Sequence, residues 1–209
     1  MKLVVFGATG GTGRLLVTQA LQQGYEVVAF VRDPDKFTIT DPRLRVVRGD
    51  VTRDSSAVTE AVREQDAVIS ALGRRNSFRS AGLISQSMRT IVPAMKRQGV
   101  RRLIVLSAFG VGESYHYAPL IPRTLFRLLL GDIFADKKAG EDYVRQSSLD
   151  WTLVYPVLLT NGPRTGKYRV GERLDLHGVP KISRADVADF VLTQLEDGTY
   201  RHKIALISY

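Results

Sequence analysis

Between residues 3 and 17 the chain reads LVVFGATGGTGRLLV: an apolar run, a turn crowded with Gly7, Gly10, Gly11 and Gly13, then apolar residues at helical spacing. No other stretch restricts the fold so strongly. A continuously apolar strand expects cover on both faces. When a helix follows it at once, a β-α-β crossover supplies that cover. Gly7 ends the strand, Gly10 lets the backbone come close to a ligand, and Gly13 falls where the new helix must pass close to the sheet. A helix that starts here aims unsatisfied N–H groups and the positive end of its dipole at whatever occupies the turn. A pyrophosphate meets that need. The spacing Gly7-x-x-Gly10-x-x-Gly13 is one residue longer in its first gap than the usual dinucleotide fingerprint. Its position after a strand and at the opening of a helix is the context that fingerprint requires.

The rest of the chain repeats the rhythm. Strands are predicted at Leu3–Phe6, Val27–Val31, Leu44–Val47, Ala67–Ser70, Leu103–Leu106, Trp151–Tyr155 and Ile204–Ile207. Helices are predicted at Thr12–Gln22, Ser56–Glu64, Ile84–Gln98, from about Pro122 to Gln146, and at Arg184–Glu196. The alternation predicts an α/β fold with a mostly parallel, doubly wound sheet. Residues 158–183, with Gly162, Pro163, Gly166, Gly171, Gly178 and Pro180, break the rhythm and read as a loop-rich insertion able to shape a substrate site. With 209 residues and 44% hydrophobic content, a single domain over residues 1–209 is expected.

Composition removes several function classes. The chain has no cysteine, so disulfides and thiolate chemistry are excluded and a reducing, cytoplasmic setting is expected. The apolar run after Met1-Lys2 stops at Gly7, too short for a signal-peptide core. No run approaches the roughly 18 apolar residues of a membrane span, so no membrane partner is expected. The net charge of +9 favours anionic partners such as nucleotides, although scattered surface arginine explains it equally well. His116, His177 and His202 are too scattered for a metal site.

The second strand ends in VRDPDKF. A basic residue there accommodates the extra phosphate of NADP, whereas an acidic one suits the free ribose of NAD. Arg32 comes first, and guanidinium matches phosphate geometry with paired hydrogen bonds, so NADP(H) is expected, with help from Arg14 or Thr12. Asp33 before Pro34 reads as a turn or cap. After the third strand, Gly49-Asp50-Val51-Thr52 is placed to border the adenine, and Asp50 serves equally well as a cap for the next helix.

The segments GATGGTG, VRD, GDVT, ISALGRRN, VLSAFG and EDYVRQSSLDWTLVYPVLLTNGP resemble the atypical short-chain dehydrogenase/reductase group. Within it they are similar to NAD(P)H-binding proteins related to biliverdin reductase B (flavin reductase) and, more distantly, to NmrA-like proteins. The resemblance runs from Met1 to about Val191. It implies a Rossmann fold of strand order 3-2-1-4-5-6 with NADP(H) across the carboxyl edge of the sheet. The cofactor residues it implies are Gly7, Thr9, Gly10, Gly11, Thr12 and Gly13 for the pyrophosphate, Arg32 for the 2′-phosphate, and Asp50 and Val51 for the adenine. Leu72, Gly73 and Arg75 are implied beside the nicotinamide ribose, with Ser107 facing the nicotinamide and Pro156 closing the sixth strand. Ser107 and Lys137 are the implied catalytic pair, Ser107 orienting cofactor amide or substrate and Lys137 holding the ribose.

The departures from that group carry chemistry. Ordinary short-chain dehydrogenases use Tyr-x-x-x-Lys, whose phenol protonates a carbonyl oxygen; no such motif occurs here. Counting back from EDYVRQSSLDW places Lys137 at the lysine and Ile133 at the tyrosine, and Leu158 stands where the biliverdin reductase B relatives have a histidine. With no side-chain acid in view, the expected acceptor is a planar conjugated molecule, a flavin, quinone or linear tetrapyrrole such as biliverdin. Such an acceptor spreads the incoming charge and takes its proton from water. An NADPH-dependent reductase with a small-molecule substrate, no nucleic-acid partner and a monomeric or weakly dimeric state is expected. The alternative of another class is a non-catalytic NADP(H) sensor or assembly factor. Arg74, Arg75 and Arg79 could steer an anionic substrate or form a solvated loop. The apolar stretch from Leu125 to Phe134 fits the core, a subunit contact or a lid.

Overall fold

The computed structural model describes residues 1–73, 80–111 and 123–209, without the side chains of 123–130. Arg74, Arg75, Arg79 and His116, and the side chains of Leu125 to Leu130, lie outside the described residues. Among the described residues ten strands and five α-helices follow one another: β1 (Lys2–Phe6), α1 (Gly11–Gln22), β2 (Glu26–Val31), β3 (Leu44–Arg48), α2 (Ser55–Val62), β4 (Ala67–Ser70), α3 (Leu83–Gln98) and β5 (Arg102–Leu106). The second half holds α4 (Arg123–Arg145), β6 (Asp150–Pro156), β7 (Leu158–Thr160), β8 (Arg169–Gly171), β9 (Lys181–Ser183), α5 (Arg184–Glu196) and β10 (Lys203–Ser208).

The main sheet runs β3-β2-β1-β4-β5-β6-β10-β8. Its first seven strands are parallel, and β8 closes the far edge antiparallel to β10, pairing Val170 with Ile207. Leu3, Val4, Val5 and Phe6 are fully buried, as a strand covered on both faces requires. α1 packs against α5, while α2, α3 and α4 pack successively on one another. Strand order reverses between β1 and β4, the switch point at which open α/β sheets leave a crevice beyond their carboxyl ends.

Residues 158–183 are more ordered than their glycines and prolines suggest. β7 and β9 form a parallel two-stranded sheet, Leu158 pairing with Lys181 and Thr160 with Ser183, and β8 joins the main sheet. The intervening loop is tied down by Asp186 in the first turn of α5. Its carboxylate accepts from the Thr165 N–H (2.7 Å), the Thr165 hydroxyl (2.9 Å), the Gly166 N–H (2.9 Å) and the Tyr209 hydroxyl (2.7 Å). Ser183 caps the same helix, its Oγ accepting from the Asp186 N–H at 2.9 Å.

Helix α4 grips α3 by a stripe of carboxylates one turn apart. Asp132 accepts from the Ser80 N–H at 2.6 Å, and Asp136 from the N–H groups of Ile84 and Ser85 at 2.9 and 3.0 Å. Negative charge at the start of α3 satisfies amides that have no helical partner. That grip fixes the rotation of α4, and so decides which of its side chains turn toward the ends of β5 and β6.

Candidate active site at the carboxyl edge of the sheet

Gly7 has φ +81°, and a Cβ there would lie 2.5 Å from the Ala71 carbonyl oxygen. A Cβ on Gly13 would lie 2.1 Å from the Gly7 carbonyl oxygen. These two glycines let β1 turn sharply and α1 press against the turn. Gly10 precedes α1 with an extended backbone and offers no side chain to cap it, and the first turn of α1 holds no acidic residue. The opening amides of α1 are thus uncapped at the mouth of a cleft of about 690 Å³, the size of a small-molecule site. An anion fits there, which is the fit that a dinucleotide pyrophosphate requires.

Gly7, Thr9, Gly10, Arg32, Asp50, Val51, Leu72 and Gly73 all line this cleft, together with Phe30, Ala81, Leu83 and Gln86. Arg32 is exposed at the end of β2. Asp50 folds back on Thr52, accepting from its N–H at 2.9 Å and its hydroxyl at 2.7 Å. Those bonds, with the charges of Arg32 and Arg53 behind them, hold its carboxyl below the usual carboxylate range. Asp50 therefore caps no helix through its side chain, and borders the cleft as a fixed anion beside Arg32. Asp33 stands at the N-cap position of a 3-10 turn over Pro34–Lys36, as its place before Pro34 suggests, and its carboxylate pairs with Lys36 at 2.7 Å.

Arg14, expected as a helper for Arg32, reaches the segment that follows Arg32. Its guanidinium donates to the Lys36 carbonyl at 2.6 Å, to Thr38 Oγ1 and to the Thr9 carbonyl, and lies over the Phe37 ring. It staples the segment after β2 to the phosphate turn. A cation brought to this turn from far along the chain is Arg184, the first residue of α5. A Cβ on Gly11 would lie 3.0 Å from Arg184 Cδ and 3.1 Å from Nε, so the side chain crosses the start of α1, steadied by Asn161 Oδ1 at 2.7 Å.

At the other end of the edge, Ser107 follows β5 and is locked by its N–H to the Val154 carbonyl of β6 at 2.8 Å. Pro156 is buried at the end of β6. The Ser107 hydroxyl donates to Oε1 of Glu141 on α4, and the Tyr155 hydroxyl donates to Oε2 at 2.5 Å. Glu141 is only 3% exposed. Burial pushes its pKa up, a rise that the two hydroxyls and the charges of Arg145 and Lys137 offset in part. Lys137, half-buried one turn earlier on α4, is pushed down by desolvation against the opposing pull of Glu141 and Asp136. Ile133 is half-buried a further turn back, so no phenol stands on the lysine's turn. The acid that no motif announced is Glu141: Lys137-x-x-x-Glu141 continues by one turn the helix face on which Tyr-x-x-x-Lys would lie.

Among the described residues no cluster of His, Asp and Glu could hold a metal ion, and no helix is long and apolar enough to cross a membrane. His177 is exposed, and His202 stands against Trp151 and Asp150 at the opposite edge of the sheet.

The sequence profile of a family described as NAD(P)H-binding matches residues 7–198. An uncharacterised chloroplastic protein of Arabidopsis thaliana is 34% identical over 206 residues, covering 93% of this chain and 71% of that protein. The photosystem II assembly factor Ycf39 of Guillardia theta is 27% identical, covering 99% of this chain and 65% of its own length. Among solved structures, ChuY, an anaerobillin reductase of Escherichia coli O157:H7, superposes with a TM-score of 0.82 at 24% identity over 99% of this chain and 96% of its own. At that identity the likeness speaks to fold alone.

Proposed function

The chain belongs to the NAD(P)H-binding family, and from that premise we propose that it is an NADPH-dependent reductase of a planar conjugated acceptor, a flavin, a quinone or a linear tetrapyrrole. Bound NADPH would supply a hydride. The residues that would hold it are Gly7, Thr9, Gly10, Gly11, Thr12 and Gly13 at the pyrophosphate, Arg32 at the 2′-phosphate, Asp50 and Val51 at the adenine, and Leu72 and Gly73 beside the second ribose. Arg184 adds a second cation at the pyrophosphate. Arg75, outside the described residues, is assigned to the ribose from sequence alone. Ser107 and Pro156 would border the nicotinamide, and Lys137 the ribose near it.

The observation that carries the reading is the layout of the sheet's carboxyl edge: a cleft with an uncapped helix start and Arg32 beyond β1 and β2, and, outside that cleft's lining, a hydroxyl on a buried carboxylate beyond β5. Such an arrangement supplies orientation, the main contribution a protein makes to hydride transfer between stacked rings. The similarly folded ChuY is named a reductase, which agrees with this reading. Steady-state NADPH oxidation with FMN, riboflavin, quinones and biliverdin tests it, with reduction of at least one expected and aliphatic ketones left untouched.

A second reading has its own support. Ycf39, similar along almost the whole of this chain, is named an assembly factor, and a cofactor-sensing partner protein would use the same phosphate turn and Arg32. Tight NADPH binding without reduction of any conjugated acceptor would select that reading.

A further inference from the structure

Glu141 ties α4 to the ends of β5 and β6 with an acid, buried at the sheet's carboxyl edge. Ser107 and Tyr155 present one hydroxyl each to its two oxygens, and the carboxyl is buried between β5, β6 and α4. A carboxylate withdrawn from water costs free energy unless it is compensated, so its presence there, in contact with a hydroxyl at the sheet's carboxyl edge, points to use. The charged and titratable groups that face it are Lys137 and Arg145 on its own helix and Tyr155 on β6. Tyr155 is not the acid: burial and the adjacent carboxylate raise its phenol far above the ordinary range, so it remains a fixed donor.

We propose that Glu141 is the proton reservoir of the site and delivers its proton to the substrate through the Ser107 hydroxyl. This rests on the reductase reading. The acceptor gains two electrons as a hydride from NADPH and one proton. For this step Glu141 is protonated on Oε1 and donates to Ser107 Oγ, the reverse of the hydrogen bond in the resting structure, so that the Ser107 hydroxyl turns to the acceptor; the proton leaves Ser107 Oγ as its O–H bond breaks and a new bond forms at the charged heteroatom of the reduced acceptor. The Glu141 O–H bond breaks in turn, and its proton restores the Ser107 hydroxyl. The resulting carboxylate keeps the Tyr155 hydrogen bond, lies near Lys137 and Arg145, and is reprotonated from solvent. Ser107 is the catalytic residue of the pair. Glu141 acts through it.

Two readouts test the relay, one of which needs no turnover. In the protein without cofactor, an infrared pH titration should show a protonated carboxyl band that persists above the ordinary glutamate range and disappears in Glu141→Gln; a site that titrates like an exposed glutamate overturns the relay. Under single turnover with NADPH and FMN, the wild-type rate should fall as pH rises through the Glu141 titration. Glu141→Gln should be slower by about tenfold at low pH and flat with pH, with NADPH affinity within about twofold of wild type, Glu141→Asp should partly restore the profile, and Ser107→Ala should match Glu141→Gln. If Glu141→Gln does not fold, Ser107→Ala carries the test, since removing the hydroxyl should flatten the same profile. A wild-type profile retained in either variant overturns the relay and leaves the reductase reading intact. A wild type that binds NADPH tightly yet reduces no conjugated acceptor overturns both.

Discussion

Replacing Arg32 with Glu tests the cofactor assignment at its most exposed point. Arg32 shares the cleft wall with Asp50, whose carboxyl is held ionised by Thr52 and by the cations Arg32 and Arg53. On the proposed assignment, removing the guanidinium would delete a charge-assisted bond to the 2′-phosphate, a loss of about 1.5–3 kcal/mol. At about 1.4 kcal/mol per decade this spans roughly tenfold to 150-fold in NADPH affinity. Arg32 is exposed, so solvent screening places Arg32→Ala near the lower end. The new carboxylate then adds repulsion, unopposed at that spot and reinforced by Asp50, so Arg32→Glu should lose about 10- to 100-fold. NADH has a hydroxyl in place of that phosphate and can donate to the glutamate, so its affinity should hold or rise. Calorimetric titrations of both cofactors at two ionic strengths read the effect, and the NADPH penalty should shrink with added salt. Equal losses for NADPH and NADH would refute the reasoning and make Arg32 a structural residue.

Gly10→Val should abolish NADPH binding in a protein that still melts cooperatively at a lowered temperature, because the backbone of Gly10 is extended and its Cβ would press on the Gly7 carbonyl oxygen at 3.2 Å, whereas Gly13→Val should not fold, because its Cβ would strike the same carbonyl at 2.1 Å; circular dichroism melts with NADPH titration separate the two. Arg184→Ala should weaken NADPH about tenfold and leave 2′,5′-ADP, which lacks the second phosphate of the pyrophosphate bridge, nearly unchanged in competitive titrations. Burial alone would raise the pKa of Asp186, but the hydrogen bonds from Tyr209, Gly166 and Thr165 win and leave it lowered. A lowered carboxyl stabilises the fold above its unfolded pKa and loses that contribution as pH falls through the folded one. Urea melts should therefore show Asp186→Asn less stable by on the order of 3 kcal/mol at pH 7, and the gap to wild type should narrow below about pH 4.

The sheet was legible because its central strands are unbroken apolar runs, and each predicted strand of the core appears with its ends shifted by a residue or so. β7, β8 and β9 were not: each has only three residues, and their pairing depends on Asp186 and Tyr209 holding the loops from a distance. At the candidate site, the tight turn from Gly7 to Gly13, with its positive φ at Gly7 and no room for a Cβ at Gly13, could be read from spacing. Residues that act through tertiary approach could not. Glu141 lies in the charge-rich run ADKKAGEDYVR, where only the grip of Asp132 and Asp136 on α3 decides which carboxylates turn inward. The placement of two arginines was hidden for the same reason: Arg14, near the turn in sequence, bonds the Lys36 carbonyl, and Arg184, remote in sequence, lies across Gly11.

Single-turnover reduction of FMN by NADPH deuterated stereospecifically at C4 tests the central claim most directly. A crevice that holds the nicotinamide in one orientation over Ser107 predicts a primary isotope effect for deuterium on one face and none for the other. Reduction with no isotope effect from either face would contradict direct transfer. No reduction of any conjugated acceptor, with NADPH tightly bound, would contradict the reductase and leave a cofactor sensor.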